Sequence, residues 1–111
     1  RIGVTKRWSD IVIYNKTARW VEVASAPSED FGNELAQIFV QIDRTLERIG
    51  SSRSDVLQVL ILLSDLQSVG ILNEQWDAWF PPDTAPVRAC VQAGLQAGLK
   101  VEMIIEAAVR S

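Results

Sequence analysis

The chain has 111 residues, 48% hydrophobic and 23% charged, enough to close one ordinary globular core without staples, so a single domain over residues 1–111 is expected. Eleven basic against fourteen acidic residues give a net charge of −3; no Lys/Arg run is longer than two, which argues against a nucleic-acid partner, since phosphate binding rests on concentrated positive charge. There is no histidine and one cysteine, Cys90, which excludes Ser-His-Asp, Cys-His and His-based zinc chemistry, an internal disulfide and a CxxC metal site, and fits a reducing, cytoplasmic setting.

The chain begins with Arg1 rather than Met, which leaves room for a preceding segment, a cleaved targeting peptide included. Two short runs rich in β-branched and aromatic residues, Asp10 to Tyr14 and Arg19 to Val23, flank the turn-forming Asn15-Lys16-Thr17 and predict a β-hairpin. After the break at Pro27-Ser28, Leu35, Ile38, Phe39, Ile42, Leu46 and Ile49 recur at spacings of three and four and predict an amphipathic helix stopped by Gly50. Glu34, Gln37, Gln41, Asp43, Arg44 and Arg48 mix both signs of charge and are expected to form its solvated face.

Val56 to Leu63, apolar except for Gln58, reads as a buried strand. A second helix is expected from about Leu66 to Phe80, with Val69, Leu72, Trp76, Trp79 and Phe80 as its stripe and Pro81-Pro82 ending it. Asp65 and Glu74 interrupt the most apolar region, so no stretch reaches the roughly 18 uncharged residues of a membrane span. Two final strands, about Val87 to Ala93 and Leu99 to Val109, enclose a turn containing Gly94 and Gly98. The order β-β-α-β-α-β-β predicts an α+β fold, one mixed sheet with both helices on a single face. The other face, expected to show Val87, Ala89, Val91, Val101, Met103 and Ile105, has to find cover in another copy of the chain.

The segment Ala85-Pro86-Val87-Arg88-Ala89-Cys90-Val91-Gln92-Ala93-Gly94-Leu95, followed by Lys100-Val101-Glu102-Met103, resembles the C-terminal signature of the RidA/YjgF family of reactive intermediate deaminases. Arg7-Trp8-Ser9-Asp10, Gln41-Ile42-Asp43 and Asn73-Glu74-Gln75-Trp76-Asp77-Ala78-Trp79 extend the likeness over essentially the whole chain and are closest to the YoaB-like branch. The resemblance implies a chorismate-mutase-like fold assembled as a homotrimer, with a cleft at each subunit interface. It also implies hydrolysis of enamine and imine metabolites such as 2-aminoacrylate to 2-keto acids and ammonia, with no cofactor.

On this resemblance Arg88 anchors the substrate carboxylate, for which a planar guanidinium fork is suited. Spacing alone favours an interface salt bridge from Arg88 to Glu102 or Glu106, and the resemblance reverses that preference. Glu102 matches the position that orients the attacking water, and with no histidine a carboxylate is the natural proton acceptor. Cys90 falls where main-chain groups position ligand or water, and without an activating histidine it reads as a small buried or cleft-lining thiol. Asn73 matches a cleft-facing position, with a local side-chain to backbone bond as its alternative. Two positions depart from the pattern. Trp8 stands where many members carry tyrosine, and Glu22, after Val21, stands where a glycine is usual. A carboxylate at Glu22 would compete for Arg88 and repel an anionic substrate. The alternative function is therefore a non-catalytic trimer binding small carboxylates or 2-keto acids in the same cleft.

Overall fold

The computed structural model describes residues 1–110. Strands β1 (Ile2–Val4), β2 (Ser9–Tyr14) and β3 (Thr17–Glu22) precede helix α1 (Phe31–Arg48); β4 (Val56–Leu63), α2 (Val69–Trp79), β5 (Val87–Gln92) and β6 (Val101–Ala108) follow. The strands form one six-stranded sheet in the order β1-β2-β3-β6-β4-β5. Only the β4–β5 pair, joined through α2, is parallel, as the length of a crossover connection requires. The α+β fold of a mixed sheet and two helices thus agrees with the sequence, with one strand more than expected. β1 is three residues long, too short for an alternation signal, and pairs with the edge of β2 (Ile2 with Ile11, Val4 with Ser9). Asp10 lies against Gly3, where a Cβ would come within 2.0 Å of its carboxylate and the φ of 63° strains any other residue, so a side chain there would force Asp10 to move.

Local chemistry fixes the element ends. Asn15 and Lys16 both have positive φ (52° and 60°), the two-residue turn whose twist suits a hairpin, and Thr17 already belongs to β3. Asp30 caps α1 by accepting from the Asn33 N–H at 3.2 Å, so the helix begins four residues before Leu35. At its other end Gly50 (φ 71°) donates to the Glu47 carbonyl at 3.2 Å and Ser51 to the Leu46 carbonyl at 2.8 Å, a Schellman closure. The expected start of the second helix at Leu66 is a 3₁₀ turn, Leu66–Ser68, in which Asp65 accepts from the Gln67 N–H at 2.9 Å; α2 proper starts at Val69.

One face of the sheet carries Ile11, Ala18, Trp20, Val59, Ile61, Leu63, Val101, Met103, Ile105 and Ala107, all buried against Leu35, Ile38, Phe39, Ile42, Leu46, Leu72 and Trp76 of the helices. Each such side chain contributes roughly 1.5–3 kcal/mol by leaving water. This corrects the expected open face: Val101, Met103 and Ile105 point into the core, not away from it. The open face carries Val21, Leu60, Leu62, Val87, Ala89, Val91, Glu102, Ile104 and Glu106, with Val21, Val87, Val91 and Ile104 exposed. Arg19 and Glu106 pair across it at 2.6 Å.

The face of α1 expected to be solvated is also only partly so. Glu34 is fully buried, and its Oε2 accepts from the backbone N–H groups of Lys100 (2.7 Å) and Val101 (3.1 Å), tying the first turn of α1 to the start of β6. Gln37 bonds both backbone groups of Ala26 through its amide, and Gln41 reaches Ser25, Val23 and Glu22. Asp43 holds Arg53 in a two-point ion pair, and that guanidinium lies 4.4 Å over the Trp79 ring. Replacing Glu34 with Ala leaves the Val101 N–H buried without an acceptor; the expected loss is about 1–3 kcal/mol in urea unfolding, with an unchanged m-value.

Candidate functional site

β5 is an edge strand, and its register against β4 fixes the direction of its side chains. Arg88 lies beside Val59, Cys90 beside Ile61 and Gln92 beside Leu63, all on the helix side of the sheet. There Arg88 meets α2. Its Nη2 donates to Asn73 Oδ1 at 2.6 Å, and its guanidinium stands 5.0 Å from the centre of the Trp76 ring. Asn73 thus uses its side chain on Arg88 rather than on a neighbouring backbone group. None of the ion pairs found among the described residues involves Arg88. An uncharged acceptor and an aromatic face hold the fork in place while leaving its charge uncompensated.

Glu102 is on the other side. Its neighbour on β4 is Leu62, and it belongs to the open face with Ile104 and Glu106. Within one chain Arg88 therefore cannot reach Glu102 or Glu106, because strand β4 and the sheet plane lie between them.

The large cavity of the chain opens elsewhere, where β2 parts from β3. Their pairing ends at Ile11 with Trp20, while β3 runs on along β6 as far as Glu22 with Met103. The gap joins the two sides of the sheet and forms a cavity of about 600 Å³. Trp8, Ile11 and Trp20 supply its apolar wall; Asp10, Glu22, Arg48 and Glu102 are its charged residues. Trp8 is 62% exposed and stands at the rim. Of the residues singled out in the sequence, Trp8, Glu22 and Glu102 thus share one cavity, while Arg88, Asn73 and Cys90 cluster at the far edge of the sheet. Ser9, Thr45, Arg48 and Gln96 also line the cavity and were not foreseen. Thr45 and Arg48 are three apart on α1, a spacing that puts them on one helix face, but periodicity cannot tell that this face closes over a gap in the sheet.

Glu22 is half-buried beneath α1. Its Oε1 accepts from Trp20 Nε1 at 3.0 Å and from Thr45 Oγ1 at 3.5 Å, and its Oε2 from Gln41 Nε2 at 2.8 Å. Burial pushes its carboxyl above the usual glutamate value, and the bonds from Gln41, Trp20 and Thr45 offset this only in part. Glu22 does not point at Arg88: three strand spacings separate β3 from β5.

Cys90 is half-buried against the core, and burial raises its thiol pKa, with the nearby Arg88 charge pulling weakly the other way. A raised pKa means less thiolate at neutral pH, hence less nucleophile. Iodoacetamide should alkylate native Cys90 at pH 7.4 several-fold more slowly than the urea-unfolded chain, and the native rate should climb only as pH moves above the ordinary cysteine range. Mass spectrometry of timed samples measures both rates.

Comparison with known proteins locates this architecture. The family model described as Endoribonuclease L-PSP matches residues 3–109. The RutC family protein YoaB of Escherichia coli K12 is 42% identical over 91 residues, covering 82% of this chain and 80% of that protein. A RutC family protein of Haemophilus ducreyi is 33% identical over 111 residues, covering 98% and 95%. Among solved structures, a Pseudomonas aeruginosa protein superposes with a TM-score of 0.93 at 40% identity, covering 99% of this chain and 97% of the other. A YjgF-family protein from Neisseria meningitidis gives a TM-score of 0.90 at 34% identity, covering 98% and 92%.

Proposed function

Since the chain belongs to the Endoribonuclease L-PSP family, the RidA/YjgF group, we propose that it hydrolyses small enamine and imine carboxylates of the 2-aminoacrylate type to 2-keto acids and ammonia. The observation that carries this reading is Arg88. It is a guanidinium on an edge strand, oriented by Asn73 and Trp76 and matched by no carboxylate among the described residues. Such a group is prepared for a two-point bond to a ligand carboxylate.

The site is shared between copies. The open sheet face exposes Val21, Val87, Val91 and Ile104, and covering it with the same face of neighbouring copies, in a homotrimer, brings Arg88 of one subunit to the cavity of the next. Glu102 there accepts a proton from water as the oxygen attacks the imine carbon. The C=N π electrons settle on the nitrogen of the protonated imine to give a carbinolamine. Glu102 passes its proton to that nitrogen, the C–N bond breaks as the hydroxyl gives its proton to Glu102 and becomes the keto oxygen, and the nitrogen leaves as ammonia with the 2-keto acid held on Arg88. Each group acts directly on substrate or water, so no cofactor enters this scheme. A net charge of −3 and the absence of histidine make RNA a poor substrate for the same cleft.

A second reading is favoured by Glu22, whose carboxylate sits in the cavity: the trimer binds small carboxylates without turning them over. Ammonia release from freshly generated 2-aminoacrylate separates the two. For the hydrolase, Arg88→Ala should lower kcat/KM roughly 100-fold or more, the worth of a lost bidentate anchor, and Asn73→Ala should lower it less. Mixed trimers refolded from Arg88→Ala and Glu102→Gln chains should regain activity that neither parent has, because some interfaces then pair an intact Arg88 with an intact Glu102. Wild-type-like turnover by Arg88→Ala removes the assigned role, and sedimentation as a monomer removes the shared site.

A further inference from the structure

The cavity beside Glu22 has a chemical preference of its own. Glu22 is held by three neutral donors, from Trp20, Gln41 and Thr45, and no cation lies within ion-pair distance of it among the described residues. A carboxylate offers about four lone-pair sites. Oε1 has two donors, one of them long, whereas Oε2 has one, so Oε2 retains an acceptor position. The other carboxylates of the lining, Glu102 and Asp10, take part in none of the side-chain hydrogen bonds or ion pairs found, and Arg48 is the one cation against these three. Burial also pushes the Glu22 carboxyl upward, a desolvation that the three neutral donors offset only in part. Trp8 and Trp20 add aromatic surface, which favours a cation over an anion. A concave wall of this kind focuses a negative potential into the space a ligand would enter.

We propose that Glu22 is a specificity-determining residue that receives a protonated nitrogen, so that the cleft prefers small carboxylates carrying an ammonium or iminium group over plain carboxylates and 2-keto acids. This rests on the reading that Arg88 of a neighbouring copy anchors the ligand carboxylate: the two charged groups of the cleft then match the two ends of a zwitterion. Where a glycine at this position would offer only backbone, Glu22 sets a charge requirement on the ligand. It also explains how a carboxylate and an anion-anchoring arginine can belong to one cleft. Within a chain they cannot pair, because three strand spacings separate β3 from β5, and in the proposed cleft the ligand lies between them, each binding a different part of it.

The test is calorimetric titration of the protein with size-matched pairs, alanine against isobutyrate and 2-aminobutyrate against 2-methylbutyrate, and with pyruvate. The wild type should bind the amino acids at least tenfold more tightly than their uncharged counterparts and than pyruvate. Glu22→Gln and Glu22→Ala, each checked for a retained melting transition and trimer mass, should bring that ratio close to one. Equal or weaker binding of the amino acids by the wild type, or no binding of them at 10 mM, overturns the proposal, and so does a preference that survives in a folded Glu22 variant. Arg88→Ala keeps the two readings apart. If all the carboxylates bind through Arg88 but without preference for nitrogen, the anchor stands and this inference fails. If Arg88→Ala binds every carboxylate as tightly as the wild type and keeps the preference for nitrogen, Glu22 stands and the anchor fails.

Discussion

Two helices cannot cover both faces of a six-stranded sheet, and here both lie on the same one. The alternating residues of β3, β4 and β6 sort accordingly. Ala18 and Trp20, Val59 and Ile61, and Met103 and Ile105 are sealed under α1 and α2, and their neighbours in sequence are left facing out. The outward set is not a normal solvent surface, since valine, leucine and isoleucine alternate with Arg19, Glu102 and Glu106. An apolar sheet face of this kind calls for a partner, and the same sorting puts Arg88 on the covered side and Glu102 on the uncovered side. One constraint on layers therefore accounts both for the exposed apolar face and for the placement of Arg88 and Glu102 on opposite sides of the sheet.

Glu34 shows how the covered side is locked to the cleft. A carboxylate buried this deeply needs donors, and it finds them in the two backbone N–H groups that open β6. The Lys100 amine extends the tie by donating to the Ser28 carbonyl at 2.8 Å. The chain that enters β6 is thus fixed one residue before Glu102. Gln41 plays a similar part on the other wall, bonding Ser25, Val23 and Glu22 together. The polar residues of α1 serve less to meet water than to hold the two strand ends, of β3 and β6, between which the cavity forms.

Much of this was legible in the sequence. Three-and-four periodicity located α1, the Asn15-Lys16 turn located the hairpin, and two-residue alternation separated Arg88 and Cys90 from Val87, Ala89 and Val91. Alternation does not say which set faces the helices, and for β6 the expectation was reversed: Val101, Met103 and Ile105 form the more apolar set and go where burial is most complete. Glu34 carried a signal that charge alone concealed, for it stands four residues before Ile38 and eight before Ile42, inside the apolar stripe. A carboxylate at a stripe position marks a buried bond to backbone rather than a solvated face. The gap between β2 and β3 had no local signal, because it depends on where two pairing registers end. Placement of Glu22 and Arg88 relative to each other likewise needed the strand order, which puts β6 and β4 between them.

Glu22 is the point at which stability and function diverge. Trp20, Gln41 and Thr45 would find water at the mouth of the cavity if no carboxylate stood there, so the fold does not need Glu22 to satisfy them. Desolvating a carboxylate without a cation is unfavourable, and three neutral hydrogen bonds only moderate that cost. A residue kept in such a place contributes more when a positive group arrives than when the cavity is empty, since the ligand then supplies the compensation that the protein lacks. The same reasoning applies to Arg88, which Asn73 and Trp76 orient without neutralising. The two charges are of opposite sign and lie three strand spacings apart in the protomer, and in the proposed assembly through the bare sheet face one small molecule would answer both.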